Sequence, residues 1–247
     1  MKSIGTKSAQ EGGGMNRTGI QIAPVMGPQM VEGAAAAPRS EGGPEQLMMR
    51  RAEYISEGYP VGSLPPPPIS LRGAVEGAAQ LVGTTTGVAT LMDKLSERIA
   101  FERTGTRLYD ALINKCEALG EGGAGPTLAE LREIRDEELR HFLLLNRVVT
   151  ELGGDPTVMS PCADTVMVSS LGLLQVLTDP RTTVSQCLQA ILTAELTDNA
   201  GWELLIDLTS EMGYQEMALE FQTALEHEER HLENVRGWLS ERLMAKV

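Results

Sequence analysis

Cysteine is scarce in this chain: Cys116, Cys162 and Cys187 are the only three among 247 residues. They are too few and too scattered for a disulfide framework or a Cys-x-x-Cys metal site, so a reducing cytoplasm is the expected compartment. Aromatics are thin at 4%, which leaves Leu, Ile, Val, Met and Ala to build any core. Basic residues are also outnumbered, with 21 Lys and Arg against 34 Asp and Glu and a net charge of −13. A field of that sign repels nucleic acid and anionic membrane surfaces and attracts small cations. Neither nucleic acid nor membrane is therefore expected as a partner. The opening MKSIGTKSAQEGGG has no apolar stretch of the signal-peptide kind. No run of about 18 apolar residues stands out as a membrane span, and no strand pattern of useful length appears.

What is present divides near residue 85. Residues 1–85 are rich in Gly, Pro and Ala, with GGG at 12–14, AAAA at 34–37 and PPPP at 65–68. The tetraproline suits polyproline II, and short helices are expected at about Pro44–Glu57 and Ser70–Val82. With so little apolar material this N-terminal arm is expected to be disordered, or laid along the folded domain or a partner subunit.

Residues 86–245 read as four long amphipathic helices. The first, about Thr86 to Leu119, places Leu95, Glu102, Tyr109 and Cys116 seven residues apart on one face, flanked by Leu91, Ile99, Leu112 and Ile113. GEGGAGP at 120–126 stops it. The second follows Thr127, a suitable N-cap, turns Leu131, Glu138, His141 and Leu145 inward, and ends at Gly153, Gly154 and Pro156. Residues 152–182 form a long connection with an apolar segment at Val166–Leu177. Its length suits a crossover that makes the second and third helices parallel. The third helix, about Thr183 to Met212, carries Leu188, Ile191, Glu195, Asp198, Trp202 and Leu205 inward. The fourth, Tyr214 to about Met244, carries Phe221, Leu225, Glu228, His231 and Val235.

Two of the three histidines follow a glutamate by three residues, in Glu138-Leu-Arg-His141 and Glu228-Glu-Arg-His231. Residues three apart on a helix lie about 60° apart in azimuth, so each pair can grip one cation from one face. Glu102 and Glu195 add a lone carboxylate from each remaining helix. Four carboxylates buried without compensation would each cost several kcal/mol, and two divalent cations would neutralise them. Hard carboxylates with borderline imidazoles favour Fe or Mn. The plain alternative is a set of solvated helix faces where Glu and His coincide. Glu137 and Glu229 point about 100° from their neighbours and are expected in solvent. Trp202 and Cys116 are expected in the core, and His227 either behind a ligand or exposed.

The set Glu102, Glu138-x-x-His141, Glu195 and Glu228-x-x-His231 resembles the di-iron carboxylate site of the ferritin-like superfamily, nearest its rubrerythrin and bacterioferritin branches. The resemblance covers about residues 86–245. It implies an all-α fold, a ferritin-like four-helix bundle with a long crossover between helices 2 and 3. It also implies two Fe ions (alternatively Mn), bridged by Glu138 and Glu228 and capped by Glu102 with His141 and by Glu195 with His231. Rubrerythrins carry a further glutamate where this chain has Asp198, which either ligates or orients a ligand histidine through its second nitrogen. Tyr109 would hydrogen-bond a ligand carboxylate or donate an electron, the plain alternative being a core tyrosine with a satisfied hydroxyl. No rubredoxin-like module and no haem motif is present. The implied activity is ferroxidase or peroxide-reducing, with O2 or H2O2 as substrate, in a homo-oligomer. Non-catalytic metal storage or assembly, and a di-manganese catalase-like enzyme, are the alternatives. Val61-Gly-Ser-Leu64 reads as linker, although it resembles tags that send ferritin-like proteins into encapsulin shells.

Overall fold

The computed structural model describes residues 25–37, 43–58, 85–120 and 124–245. Among them the chain is all α, with seven helices and no strand. It divides into two compact units, Met1–Gly58 and Tyr59–Val247. The first holds α1 (Met26–Ala36) and α2 (Pro44–Glu57). Pro44 opens α2 at a position whose N–H would have no partner anyway, and the helix has the expected bounds. α1 was not expected; its Met and Ala residues favour helix locally even though no long apolar face announces it. Neither helix has a core, since Met30, Leu47, Met49 and Ile55 are exposed. The expected helix at 70–82, the tetraproline and Val61–Leu64 lie outside the described residues, as does the stretch leading to the boundary at 85.

The second unit contains α3 (Thr85–Leu119), α4 (Leu128–Glu151), α5 (Pro161–Thr178), α6 (Val184–Glu211) and α7 (Gln215–Met244). α4 and α6 begin alike. Thr127 and Thr183 accept from the N–H groups of Glu130 and Gln186, whose side chains reach back to the cap N–H. They also end alike: Gly153 and Gly213 take φ of 83° and 82°, a conformation costly for any side chain and the usual device for closing a helix.

α3 packs on α4, α5 and α6, α6 on α7, and α4 on α7. Two apolar clusters result. One joins Leu91, Leu95, Leu145, Val149, Trp202, Leu205 and Phe221. The other joins Leu108, Leu112, Leu131, Ile134, Leu188, Ile191, Val235 and Trp238. The second cluster takes the starts of α4 and α6 with the ends of α3 and α7, so α4 and α6 run in the same direction. Burying each such Leu or Ile contributes about 1.5–3 kcal/mol. On α4, α6 and α7 a mostly polar stretch separates the residues of one cluster from those of the other, while on α3 the two clusters adjoin at Ile99 and Phe101, just before Glu102.

α5 corrects one expectation. The apolar segment of the long connection is an 18-residue helix, Pro161–Thr178. Among the described residues it is the one helix long and apolar enough, by length and composition, to cross a membrane. Its small residues hide this in the sequence: Ser, Thr, Gly and Cys break up the apolar run while adding no charge beyond Asp164. Ala163, Ser170 and Leu177 are its buried residues, and Val168 and Leu171 remain exposed.

The start of α5 is held from α3. Asp93 Oδ1 accepts the Cys162 N–H at 2.9 Å, beside the Ser160 cap. Burial pushes the Asp93 carboxyl up, but hydrogen bonds with Ser160 and Cys162 outweigh it and hold it below the ordinary value. A depressed folded-state value means the stabilisation is present above the unfolded carboxyl value of about 3.9 and fades as pH falls through the folded one. Asp93→Ala is expected to cost about 1 kcal/mol at pH 7. The difference should shrink as pH falls below the ordinary carboxyl value of about 3.9, as read from urea unfolding at pH 7 and in acid.

Candidate metal centre

The polar stretches of α3, α4, α6 and α7 meet in the interior. Glu102, Glu138, His141, Glu195, Asp198, Glu228 and His231 are each at most 3% exposed. The chain supplies them in register because each sits where a helix's apolar stripe would otherwise continue: Glu102 after Ile99, Glu138 after Ile134, Glu195 after Ile191, Glu228 after Leu225. Their donor atoms gather into overlapping groups whose members lie within 4.8 Å of one another. One group is Glu138, Glu195, Glu228 and His231; another is Glu102, His141 and Glu228; a third joins Glu102, Glu138, Asp198 and Glu228. Glu228 belongs to all three and Glu138 to two. Such a cluster can hold a metal.

Both histidines aim Nδ1 at this cluster. His231 Nδ1 lies 3.0 Å from Glu228 Oε2. His141 Nδ1 lies 2.6 Å from Glu228 Oε1 and 3.6 Å from Glu102 Oε2. At 2.6 Å the His141 contact still lacks hydrogen-bonding geometry, and both of its atoms are otherwise without partners. Donors pressed together in this way suit a shared cation rather than one another.

Seven buried side-chain N and O atoms among the described residues lack a hydrogen-bond partner. Five belong to this set: Glu102 Oε2, Glu138 Oε2, His141 Nδ1, Glu195 Oε2 and Glu228 Oε1. Each orphaned polar atom carries a desolvation penalty. The donors are four carboxylates and two imidazoles, the hard and borderline types that divalent iron or manganese takes. Residues and group fit.

Protonation tells the same story. Burial pushes the Glu138 carboxyl well up, and the neighbouring charges of Glu228, Glu102 and Glu195 push it further. Burial and Glu228 raise Glu195 to about 8. His231 rises to about 10: burial opposes the rise, but Glu228, Glu137 and Glu195 overcome it. His141 rises to about 9 against its own burial, drawn by Glu102 and Glu228. Without a cation, protons must supply the positive charge that the pocket demands.

Around the donors stands a ring that the sequence only partly disclosed. The Tyr109 hydroxyl donates to Glu195 Oε1, one of its two expected roles. Trp202 packs edge-on against His141, with ring centroids 5.6 Å apart. His227 lies behind a ligand candidate, its Nδ1 3.2 Å from His141 Nε2. Glu229 is exposed, as expected. Glu137 requires correction. It is 5% exposed rather than solvated, lies 2.8 Å from His231 Nε2, and accepts from Arg230 Nη2 at 2.5 Å. Burial raises its carboxyl, but His231 and Arg230 more than reverse this and bring it to about 2. Its own helix does turn it away from Glu138; α7 covers that flank.

Asp198 also differs from one of its alternatives. It does not orient a histidine, because the second nitrogens of His141 and His231 face His227 and Glu137. Instead Arg98 Nη2 donates to both Asp198 Oδ1 and Glu102 Oε1. Arg98, 3% exposed, was not foreseen. Its signal was its place four residues before Glu102, on the same face of α3. Gly201 makes room for it, since a Cβ there would lie 2.3 Å from Arg98 Nη1. Asn199 Nδ2 was also missed; it donates to the backbone carbonyls of Glu195 and Glu228 and ties α6 to α7 beside the donors. Arg230 balances Glu137, and the single charge of Arg98 is shared by Asp198 and Glu102, so the five donor carboxylates together keep four negative charges.

No protein-family model, curated protein or solved structure matches this chain.

Proposed function

We propose that this chain is a ferritin-like metalloprotein in which Glu102, Glu138, His141, Glu195, Glu228 and His231 hold two iron ions for the oxidation of Fe(II) by O2 or H2O2. α3, α4, α6 and α7 would form a four-helix bundle, with α5 as the crossover that returns the chain from the end of α4 to the start of α6. The observation that carries the reading is the convergence of five orphaned donor atoms from four helices on one buried centre. Four carboxylate charges against two divalent cations make that burial tolerable.

Two adjacent irons, when bound, supply two electrons to one oxidant. The protein's part is positional. Glu138 and Glu228 belong to overlapping donor groups and so can be shared between two ions. Glu102 and Glu195 each have one oxygen anchored, by Arg98 and Tyr109, and keep the other free for a cation. The near-complete burial of every donor favours a small oxidant over an organic substrate. The excess of acidic residues draws cations toward the protein. A reducing cytoplasm suits a chain with only three scattered cysteines.

Metal analysis of protein purified without added metal should find two irons per chain. Anaerobic Fe(II) loading followed by air should produce the near-ultraviolet absorption of ferric iron within seconds to minutes. Two irons bound with no such change would leave storage; two manganese ions would move the reading to catalase-like chemistry. Fewer than one metal per chain under every loading condition would remove it altogether.

A further inference from the structure

The two halves of the cluster repeat one arrangement with different chemistry. α4 and α7 each carry, immediately before a donor glutamate, a residue that backs the histidine of the other helix. Glu137 Oε2 lies 2.8 Å from His231 Nε2, and His227 Nδ1 lies 3.2 Å from His141 Nε2. In both cases the contacted nitrogen is the one turned away from the cluster. The exchange is reciprocal, but one backing group is a carboxylate anchored by Arg230 and the other is an imidazole.

That difference matters for a metal. A carboxylate accepting the distal N–H increases the donor strength of an imidazole and fixes its ring, whereas a neutral imidazole acceptor does so far less. The terminal glutamates differ in the same direction. Glu195 Oε1 is held by a neutral phenol, Tyr109, while Glu102 Oε1 is held by the guanidinium of Arg98. A fixed positive group beside Glu102 opposes a cation there. Asp198 lies within reach of that position, but its Oδ1 is held by the same guanidinium.

We infer that the two cation positions are unequal: a tight one bounded by Glu195 and His231, and a weaker, exchangeable one bounded by Glu102 and His141. Glu137 and His227 are the positioning residues that set the difference. The inference rests on the two-metal reading above. It assigns a retained ion to one end of the cluster and the exchangeable ion to the other, which is the end an incoming Fe(II) would use.

The test is anaerobic calorimetry of the full-length, metal-stripped chain titrated with Co(II). The wild type should show two events of one Co(II) per chain, separated by about tenfold or more in affinity. Glu137→Gln should weaken the first event by about tenfold to a hundredfold and spare the second. His227→Glu, at a half-buried position, should strengthen the second event and draw the two together. Glu137→Asp should recover part of the loss, and circular dichroism should show each variant folded. A single event of two equivalents in the wild type would overturn the inference while leaving two-metal binding intact. So would a His227→Glu variant whose second event does not move. Absence of saturable Co(II) binding would instead overturn the two-metal reading itself.

Discussion

Glu228→Gln is expected to abolish the stabilisation that metal gives this protein. Glu228 is the one residue present in every donor group, and its two oxygens approach both histidines. A ligand that binds only the folded state adds about 4 kcal/mol when present at about 1,000 times its Kd. In a chain of this size each kcal/mol moves the melting midpoint by about 2–4 °C. Two filled positions should therefore raise the midpoint of the wild type by more than about 15 °C when Co(II) replaces a chelator. Glutamine keeps the shape but loses the charge and one of the two acceptor oxygens, so both positions lose their common ligand. The rise in the variant should fall below about 5 °C. In the metal-free protein the substitution has two opposed effects: it relieves repulsion among buried carboxylates but deprives both histidines of a charged neighbour. The metal-dependent rise, not the metal-free midpoint, is therefore the diagnostic quantity. A variant that keeps the wild-type rise would show that this cluster is not where the metal binds.

The helices were legible in the sequence because their signals are local. Thr127 and Thr183 cap through residues three further on, and Gly153 and Gly213 close helices through their own φ. The donors were legible because a charged residue on an apolar face has few ordinary explanations. Leu95, Leu112, Leu131, Ile191 and Phe221 surround them in the interior, as periodicity required. What escaped was whatever depends on a neighbouring helix. Glu137 points away from Glu138 on its own helix, yet α7 brings His231 and Arg230 to it. Arg98 is of a type that ordinarily stays in solvent, but Glu102 and Asp198 on two helices, with space left by Gly201, hold it inside. α5 was underestimated for the opposite reason: its small, uncharged residues carry too weak a period to delimit a helix, and packing on α3 and α6 delimits it instead.

Gly105 gives the second large effect, and it separates folding from metal binding. It lies on α3 three residues after Glu102, where α6 carries Asp198 three residues after Glu195. A Cβ built there would lie 2.1 Å from Glu138 Oε2 and 2.7 Å from its Cδ. Glycine at this position is what lets the Glu138 carboxylate lie against the backbone of α3. Elsewhere in a helix interior, Gly→Ala stabilises by about 1 kcal/mol. Gly237 on α7, with nothing within 4 Å of a built Cβ, supplies the control. Gly237→Ala should gain about 1 kcal/mol in urea unfolding and leave metal affinity unchanged. In Gly105→Ala the Glu138 side chain can swing aside when no cation holds it, so the metal-free protein should unfold within about 1 kcal/mol of wild type. With metal present, that swing removes a carboxylate available to both positions. Co(II) affinity should fall at least about tenfold, equivalent to about 1.4 kcal/mol. Equal metal affinity in the two glycine variants would mean that Glu138 is not a ligand. Loss of folding in Gly105→Ala alone would mean that close packing of α3 on α4, rather than room for a carboxylate, is what the glycine provides.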